Sequence, residues 1–166
     1  MLQVYTGDGK GKTTAAIGLA LRMIGSGGRV FLIQFAKDGG SSELKSLRRF
    51  PALYDEYICG RKGWLSSNPI ESSLVRNGLA KARDVLRNGE HRMLILDEAN
   101  IVVSKGVIEL SELMEAISKN PCGIEIIVTG RDAPEELLEK ADLVTKMSGI
   151  KHYYNAGVKA RAGIEF

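Results

Sequence analysis

A glycine-rich stretch near the start of the chain carries residue types that bind a polyphosphate. It follows the apolar run Leu2 to Tyr5 and reads Thr6-Gly7-Asp8-Gly9-Lys10-Gly11-Lys12-Thr13-Thr14. Glycines lack the Cβ atoms that would keep backbone N–H groups away from phosphate oxygens, and a helix N-terminus adds about half a positive charge. Lys12 supplies a mobile cation, and the Thr13 hydroxyl can ligate Mg²⁺. We therefore predict a P-loop whose residues 7–14 contact a nucleotide.

Two features bear on how specific this motif is. The general P-loop pattern begins with glycine, whereas this chain has Thr6 there. The alternative interpretation is an ordinary glycine-rich turn before a helix. A strand before the loop and a long apolar helix after it are the context that a P-loop requires, and they favour the phosphate site.

A pair of carboxylates follows a second apolar run. Asp97 and Glu98 come directly after Met93 to Leu96, at the end of a predicted buried strand. In P-loop proteins an acid at this place holds Mg²⁺, directly or through water, opposite the P-loop hydroxyl. The second acid can ligate the metal, orient a water or contact a ribose. The pattern predicts a Mg²⁺ or Mn²⁺ site built from Thr13, Asp97 and Glu98, without deciding which acid touches the metal.

Two arginines are further candidates for binding anions. Arg131 follows the predicted strand end Thr129-Gly130, and open α/β sheets bind ligands at the carboxyl ends of their strands. The alternative is a surface arginine paired with a neighbouring acid. Arg22 lies among apolar residues of the first predicted helix, where it either reaches toward phosphate or extends to solvent.

An aromatic loop and a histidine are further candidates for ligand contact. Trp64 lies in the polar segment from Cys59 to Asn68, beside Arg61 and Lys62. It offers a flat apolar surface for a flat ligand, or it caps the core. His152 stands next to Lys151 and two tyrosines, and local reasoning leaves its role open.

The sequence contains no obvious protein nucleophile or general base. No Ser-His-Asp or Cys-His arrangement stands out, and Cys59 and Cys122 have no metal-ligand spacing. The cysteines are expected to be free thiols in a reducing compartment. The net charge of +3 gives no argument for nucleic acid. With no signal peptide or membrane-spanning run, we predict a cytoplasmic protein that binds neither nucleic acid nor membrane.

The elements that position these residues alternate along the chain. Apolar runs predict strands at 2–5, 29–35, 53–58, 92–98, 123–130 and 143–147. Helical patterns cover 12–24, 68–88, 110–118 and 134–141, and the first of these is apolar on nearly every side. This order predicts one α/β domain over residues 1–166, a P-loop NTPase (RecA-like) fold with a mostly parallel central sheet flanked by helices.

Beyond single motifs, the chain resembles the ATP:corrinoid adenosyltransferases, the family that makes adenosylcobalamin. The P-loop is similar to the family's, including its threonine, as are Gln34-Phe35-Ala36-Lys37 and Leu96-Asp97-Glu98. The most specific similarity lies in Val128-Thr-Gly-Arg-Asp-Ala-Pro134, in Ala141 to Thr145 and in the tail from Ile150 to Phe166. Gly60-Arg-Lys-Gly-Trp64 stands where the family has its corrin loop, but it is shorter and lacks the family's phenylalanine.

The resemblance implies a reaction that needs no protein base. In this family reduced Co(I) of the corrinoid attacks C5′ of ATP and expels triphosphate, so the nucleophile belongs to the substrate. Lys12, Thr13 and the metal would stabilise the charge that develops on the leaving triphosphate. The resemblance also implies nucleotide or corrinoid contacts at Arg22, Trp64, Arg131 and His152. It implies a homodimer in which the tail packs near the corrinoid and the neighbouring subunit, and it allows a flavoprotein as the partner that reduces the corrinoid. Two other classes stay open, a kinase or ATPase that acts at the γ-phosphate and a nucleotide-binding module without turnover.

Overall fold

A computed structural model describes residues 1–60 and 72–165 of the chain. Within these residues, six strands form one sheet: β1 (Leu2–Thr6), β2 (Val30–Gln34), β3 (Tyr54–Ile58), β4 (Met93–Asp97), β5 (Glu125–Thr129) and β6 (Leu143–Lys146). The helices are α1 (Lys12–Gly25), α2 (Ser42–Leu47), α3 (Ser72–Asn88), α4 (Ala99–Ser104), α5 (Leu110–Ser118) and α6 (Glu135–Lys140), and a 3-10 turn covers Tyr153–Ala156. The predicted start of α3 at Asn68-Pro69 lies outside the described residues.

Every strand pair of the described sheet is parallel, and the strand order is β3-β2-β4-β5-β1-β6. The predicted mostly parallel sheet is thus confirmed. All strands end at one edge, where parallel α/β sheets bind ligands. In this order β5 separates β1, which precedes the P-loop, from β4, which ends in Asp97. A side chain at the end of β5 therefore lies between the two predicted halves of the site.

Alternate residues of the central strands face opposite layers of the core. Leu94 and Leu96 of β4 belong to a buried cluster with α3 and α5, whereas Ile95 of the same strand packs with α1 and α2. Burial on both faces explains why these strands read as continuous apolar runs.

Helix α1 packs on the sheet through one face. Ala16, Ile17, Ala20 and Ile24 are buried against the sheet, but Leu21 is 44% exposed and Arg22 is exposed. A helix that lies on a sheet has only one face covered, so apolar residues on its outer face stay in contact with solvent. The helix is thus buried against the sheet, as its apolar composition predicts, but through one face only.

Candidate active site

The P-loop joins β1 to α1 through backbone conformations that favour glycine. Gly7 has φ 98° and Gly11 has φ 118°, both in the left-handed region. Gly11 is the N-cap of α1 and offers no side-chain cap, and the first turn contains no acidic residue. The first helical hydrogen bond runs from the Ala15 N–H to the Gly11 carbonyl at 2.8 Å. The N–H groups that precede it have no intrahelical acceptor, which leaves the positive helix end able to bind an anion.

Lys12 is folded back onto this loop. Its ammonium donates to the Gly7 carbonyl at 2.6 Å and to the Gly9 carbonyl at 2.7 Å. The residue is only 8% exposed, and burial lowers the pKa of Lys12 although nearby Glu98 acts in the opposite direction. The ammonium thus lies inside the ring of backbone groups that a phosphate would enter.

Two neighbouring segments hold the loop from outside. The Gly9 N–H donates to the Met147 carbonyl, just beyond β6, at 2.8 Å. Asp8 accepts the Gly149 N–H at 3.2 Å, and this bond lowers the pKa of Asp8. The Thr6 hydroxyl accepts the Ala133 N–H at 3.2 Å. This last bond gives Thr6 a structural role at the position where the general pattern has glycine.

Asp97 is the centre of the polar network at the ends of β2, β4 and β5. Its side chain is fully buried, and one oxygen accepts hydrogen bonds from Thr13 at 2.8 Å and from Thr129 at 2.7 Å. The other oxygen accepts from Gln34 at 2.9 Å and from Lys37 at 2.9 Å. Burial by itself favours the neutral acid, but Lys37 and these hydrogen bonds outweigh it and lower the pKa of Asp97. Asp97 is therefore an ionised carboxylate that orients the Thr13 hydroxyl.

Lys37, three residues beyond the end of β2, supplies the positive charge of this network. Its ammonium also donates to the Thr13 hydroxyl at 3.1 Å and lies 3.6 Å from a Glu98 oxygen. Burial opposes its charge, but the carboxylates of Asp97 and Glu98 outweigh burial and raise the pKa of Lys37. From the sequence, Lys37 was noted only because the segment Gln34 to Lys37 is similar to the family's, and it was not assigned to the site.

Glu98 faces the ligand side of the same edge. Its backbone is left-handed, with φ 61°, and its N–H donates to the Thr129 hydroxyl at 3.0 Å. Burial raises the pKa of Glu98, while nearby Lys37 acts in the opposite direction. Thr129 thus couples the two acids, because its hydroxyl donates to the side chain of one and accepts from the backbone of the other.

A pocket of about 600 Å³ opens over the P-loop. Residues 8–14 form its floor, and Lys37, Glu98, Arg131 and His152 line its walls. Arg131 is exposed, and no acid among residues 1–60 and 72–165 pairs with it, which is not the arrangement that the alternative of a surface ion pair with a neighbouring acid predicts. Arg22 points to solvent on α1 and does not line the pocket. Trp64 lies outside the described residues.

The C-terminal tail closes one side of the pocket. Glu165 accepts hydrogen bonds from the Lys10 ammonium at 2.7 Å and from the Tyr153 hydroxyl. The Tyr153 ring lies 4.9 Å from the guanidinium carbon of Arg161. Arg161, Lys10 and Tyr153 lower the pKa of Glu165. His152 accepts the Tyr154 N–H through Nδ1 at 3.1 Å and caps the 3-10 turn. The tail was predicted to lie near the substrates, but no feature of the sequence indicated the ion pair between Glu165 and Lys10.

The acidic edge has few metal-binding side chains. Residues 1–60 and 72–165 contain no group of three or more His, Cys, Asp or Glu side chains that could hold a metal ion. What they do contain is the Thr13 hydroxyl and the two carboxylates, with the Lys37 ammonium among them as a stand-in cation. Mg²⁺ at nucleotide sites typically uses one or two carboxylates together with phosphate and water oxygens, so this donor set fits Mg²⁺ or Mn²⁺.

Known proteins match the chain from end to end. The family model for "ATP:corrinoid adenosyltransferase BtuR/CobO/CobP" matches residues 1–166. This chain belongs to that family. A corrinoid adenosyltransferase of Pseudomonas aeruginosa is 34% identical over 169 residues, which cover 100% of this chain and 83% of the relative. The corrinoid adenosyltransferase of Escherichia coli (strain K12) is 32% identical over 164 residues, covering 98% and 84%.

The fold comparison agrees with the predicted architecture. The crystal structure of the RadB recombinase superimposes on this adenosyltransferase-family chain with a TM-score of 0.59, covering 91% of this chain and 75% of that one. Sequence identity is 14%, so the likeness concerns the fold alone. The predicted RecA-like P-loop fold is confirmed. Separately, no helix among the described residues is long and apolar enough to cross a membrane.

Proposed function

We infer that the protein transfers the 5′-deoxyadenosyl group of ATP to the Co(I) centre of a corrinoid. The observation that carries this function is the family match over residues 1–166, which includes the P-loop and the tail. The geometry described above agrees with it, because the uncapped N-terminus of α1 faces a pocket and is flanked by Lys12 and Arg131. These groups suit a substrate whose leaving group is a triphosphate.

The reaction is a displacement at carbon. The cobalt electron pair of the reduced corrinoid forms the Co–C5′ bond, the C5′–O bond breaks, and its electron pair leaves with the triphosphate. No proton has to be removed from the nucleophile, which agrees with the lack of a nucleophile–base arrangement in the sequence. The α1 N-terminus and Lys12 stabilise the negative charge that builds on the leaving oxygen. Arg131 adds a cation at the same edge of the sheet.

We propose that a divalent metal, Mg²⁺ or Mn²⁺, takes part in this reaction. Thr13 and Glu98 would hold it, and Asp97 would hold it directly or through the Thr13 hydroxyl, which it orients at 2.8 Å. Bound there, the metal would neutralise part of the triphosphate charge. The donor set described above supports this proposal.

The remaining proposals concern substrates and partners. We propose that the loop containing Trp64 contacts the corrinoid and that His152, at the pocket wall, lies next to it. The enzyme is proposed to act as a homodimer. We propose that a separate reductant converts the corrinoid cobalt to Co(I), and a flavoprotein is one candidate for it. A cytoplasmic location is proposed from the use of ATP and from the free thiols of Cys59 and Cys122.

Identifying the products tests the function directly. Purified protein is incubated with ATP, Mg²⁺ and a corrinoid that has been chemically reduced to Co(I). The products are then separated, identified by mass spectrometry and quantified. We expect an adenosylated corrinoid and triphosphate in equal amounts, and no ATP consumption when the corrinoid is omitted. Release of ADP would instead identify a kinase or ATPase. Nucleotide binding without any product would identify a non-catalytic module.

A further inference from the structure

Lys37 occupies the place where three candidate metal ligands converge. Its ammonium lies 2.9 Å from Oδ2 of Asp97, 3.1 Å from Oγ1 of Thr13 and 3.6 Å from Oε1 of Glu98. These are the oxygens that the proposed function assigns to a divalent cation. An ammonium that hydrogen-bonds two of these oxygens and forms an ion pair with the third acts electrostatically as a cation already bound in the site.

Two cations do not fit in this space together. Mg²⁺ binds oxygen at about 2.0–2.1 Å and demands near-octahedral geometry, so its centre would lie among the same oxygens that now surround the ammonium. In a partly buried site, a divalent ion and an ammonium a few ångströms apart repel each other strongly. Metal binding therefore requires the ammonium of Lys37 to move away.

The surroundings allow that movement without disturbing the carboxylate. Lys37 lines the pocket and its side chain is 28% exposed, so the flexible stem has space on the ligand side. Asp97 keeps its hydrogen bonds from Gln34 at 2.9 Å and from Thr129 at 2.7 Å, which do not depend on the lysine. The carboxylate would thus stay oriented while one cation replaces another.

We propose that Lys37 is the resident counter-cation of the metal site. It neutralises the pair of acids, excludes free divalent metal, and yields its place only to a metal that arrives with the triphosphate of ATP. The displaced ammonium then binds a phosphate oxygen from the wall of the pocket. Lys37 is in this view a positioning residue that makes metal and nucleotide bind together, and the inference rests on the metal dependence proposed above.

Mn²⁺ binding without nucleotide tests the exclusion step. Free Mn²⁺ is measured by electron paramagnetic resonance for the wild-type protein, for Lys37→Met and for Lys105→Met, an exposed lysine at the end of α4 that controls for net charge. We expect Lys37→Met to bind Mn²⁺ on the order of tenfold more tightly or better, because the competing charge is gone and two carboxylates lie unneutralised. Lys105→Met should stay near the wild type. Equal Mn²⁺ affinity in Lys37→Met and the wild type would overturn the proposal.

Thermal melting provides a readout for a variant that folds poorly. Lys37→Met leaves the buried charge of Asp97 without its cation, so we expect a lower melting temperature that Mn²⁺ alone restores. The wild type should be insensitive to Mn²⁺ alone and gain stability with Mn²⁺ and ATP together. A wild type that Mn²⁺ alone stabilises as strongly as it does Lys37→Met would contradict exclusion by the lysine.

The wild-type chain itself offers a third measurement. In a protein labelled with ¹⁵N-lysine, the Lys37 side-chain signal is assigned as the one that is missing in Lys37→Arg. This signal is followed by NMR while ligands are added to the wild type. We expect this signal to move when Mg²⁺ and ATP are added together and to stay in place with Mg²⁺ alone. A signal unchanged by Mg²⁺ with ATP would mean that the lysine is not displaced and would overturn the proposal.

An Asp97→Asn variant separates this inference from the proposed function. If Asp97→Asn weakens the binding of Mn²⁺ with ATP while Lys37→Met gains no affinity for free Mn²⁺, the metal site stands and only the role of Lys37 is wrong. If Asp97→Asn leaves the binding of Mn²⁺ with ATP unchanged, the proposed metal site itself fails, and the role of Lys37 fails with it.

Discussion

At the scale of single residues, the lysines that line the pocket already have hydrogen-bond partners within the chain. Lys12 donates to two P-loop carbonyls, Lys10 pairs with Glu165, and Lys37 pairs with Asp97. Only Arg131, among the basic residues described in the pocket wall and floor, has no such partner. A bound triphosphate would therefore exchange existing contacts of the lysines for new ones, whereas Arg131 could contact it without losing a partner among the described residues.

Lys12→Ala is expected to abolish transfer while the fold is kept. The ammonium is preorganised by the Gly7 and Gly9 carbonyls, and removing one preorganised donor typically lowers the rate on the order of 10²- to 10³-fold. Turnover with ATP and reduced corrinoid measures the loss, and circular dichroism checks the fold. A purified, folded variant with near-normal turnover would exclude the P-loop from the mechanism.

At the scale of elements, the P-loop depends on the segment that follows β6. A Cβ atom added at Gly9 would lie 2.8 Å from the Met147 carbonyl oxygen and 2.8 Å from the Ser148 carbonyl carbon. The N–H of Gly9 also donates to that Met147 oxygen. The loop and the segment from Met147 to Gly149 thus form one unit, and the glycine is needed for close approach.

Gly9→Ala tests this coupling, with Gly18→Ala as its matched control. We expect Gly9→Ala to destabilise the fold by about 1–3 kcal/mol, as overpacking does, and to weaken ATP binding. Gly18 lies in the exposed face of α1 with nothing within 4 Å of an added Cβ, so alanine there should stabilise by up to about 1 kcal/mol. Chemical denaturation and ATP titration measure both variants. Equal changes in stability and in ATP affinity in the two variants would show that the close contact of Gly9 with Met147 does not matter for either.

At the scale of the whole molecule, the tail packs against the P-loop and strand β6 forms an exposed edge of the sheet. Residues 149–165 contact the P-loop through Asp8 and Lys10 rather than standing free. Strand β6 pairs only with β1 in the described sheet, and Leu143 and Val144 on it are each 44% exposed. An edge strand with exposed apolar side chains is a surface that natural proteins usually protect.

We keep the prediction of a homodimer, which this exposed edge supports. Light scattering at micromolar concentration with ATP present is expected to give twice the chain mass of 18.1 kDa. Val144→Lys should lower that mass toward the monomer if the edge is part of the interface, because the change places charge on the apolar surface. A monomer of the unaltered protein under these conditions would refute the prediction.

The predictions from sequence succeeded where the signal is local along the chain. Apolar runs gave the six strands to within a few residues, and the P-loop pattern placed Lys12 and Thr13 at the start of α1. Helices α2 and α4 were missed, because six residues are too few to show a helical period. The parallel arrangement followed from the alternation of strands and helices, since parallel strands need a crossover between them.

Contacts between distant parts of the chain were decided only by the tertiary structure. The hydrogen bond from Lys37 to Asp97 joins residues 60 positions apart, and the bond from Lys10 to Glu165 joins residues 155 apart. Residue type and spacing placed Asp97 at a strand end, and therefore at the binding edge. Which cation it meets there depends on strand order, because β2 and β4 are neighbours in the sheet and not in the sequence. The sequence by itself thus determined the family, the fold and the phosphate loop, while sheet topology decided that Lys37 and Thr129 complete the acidic site.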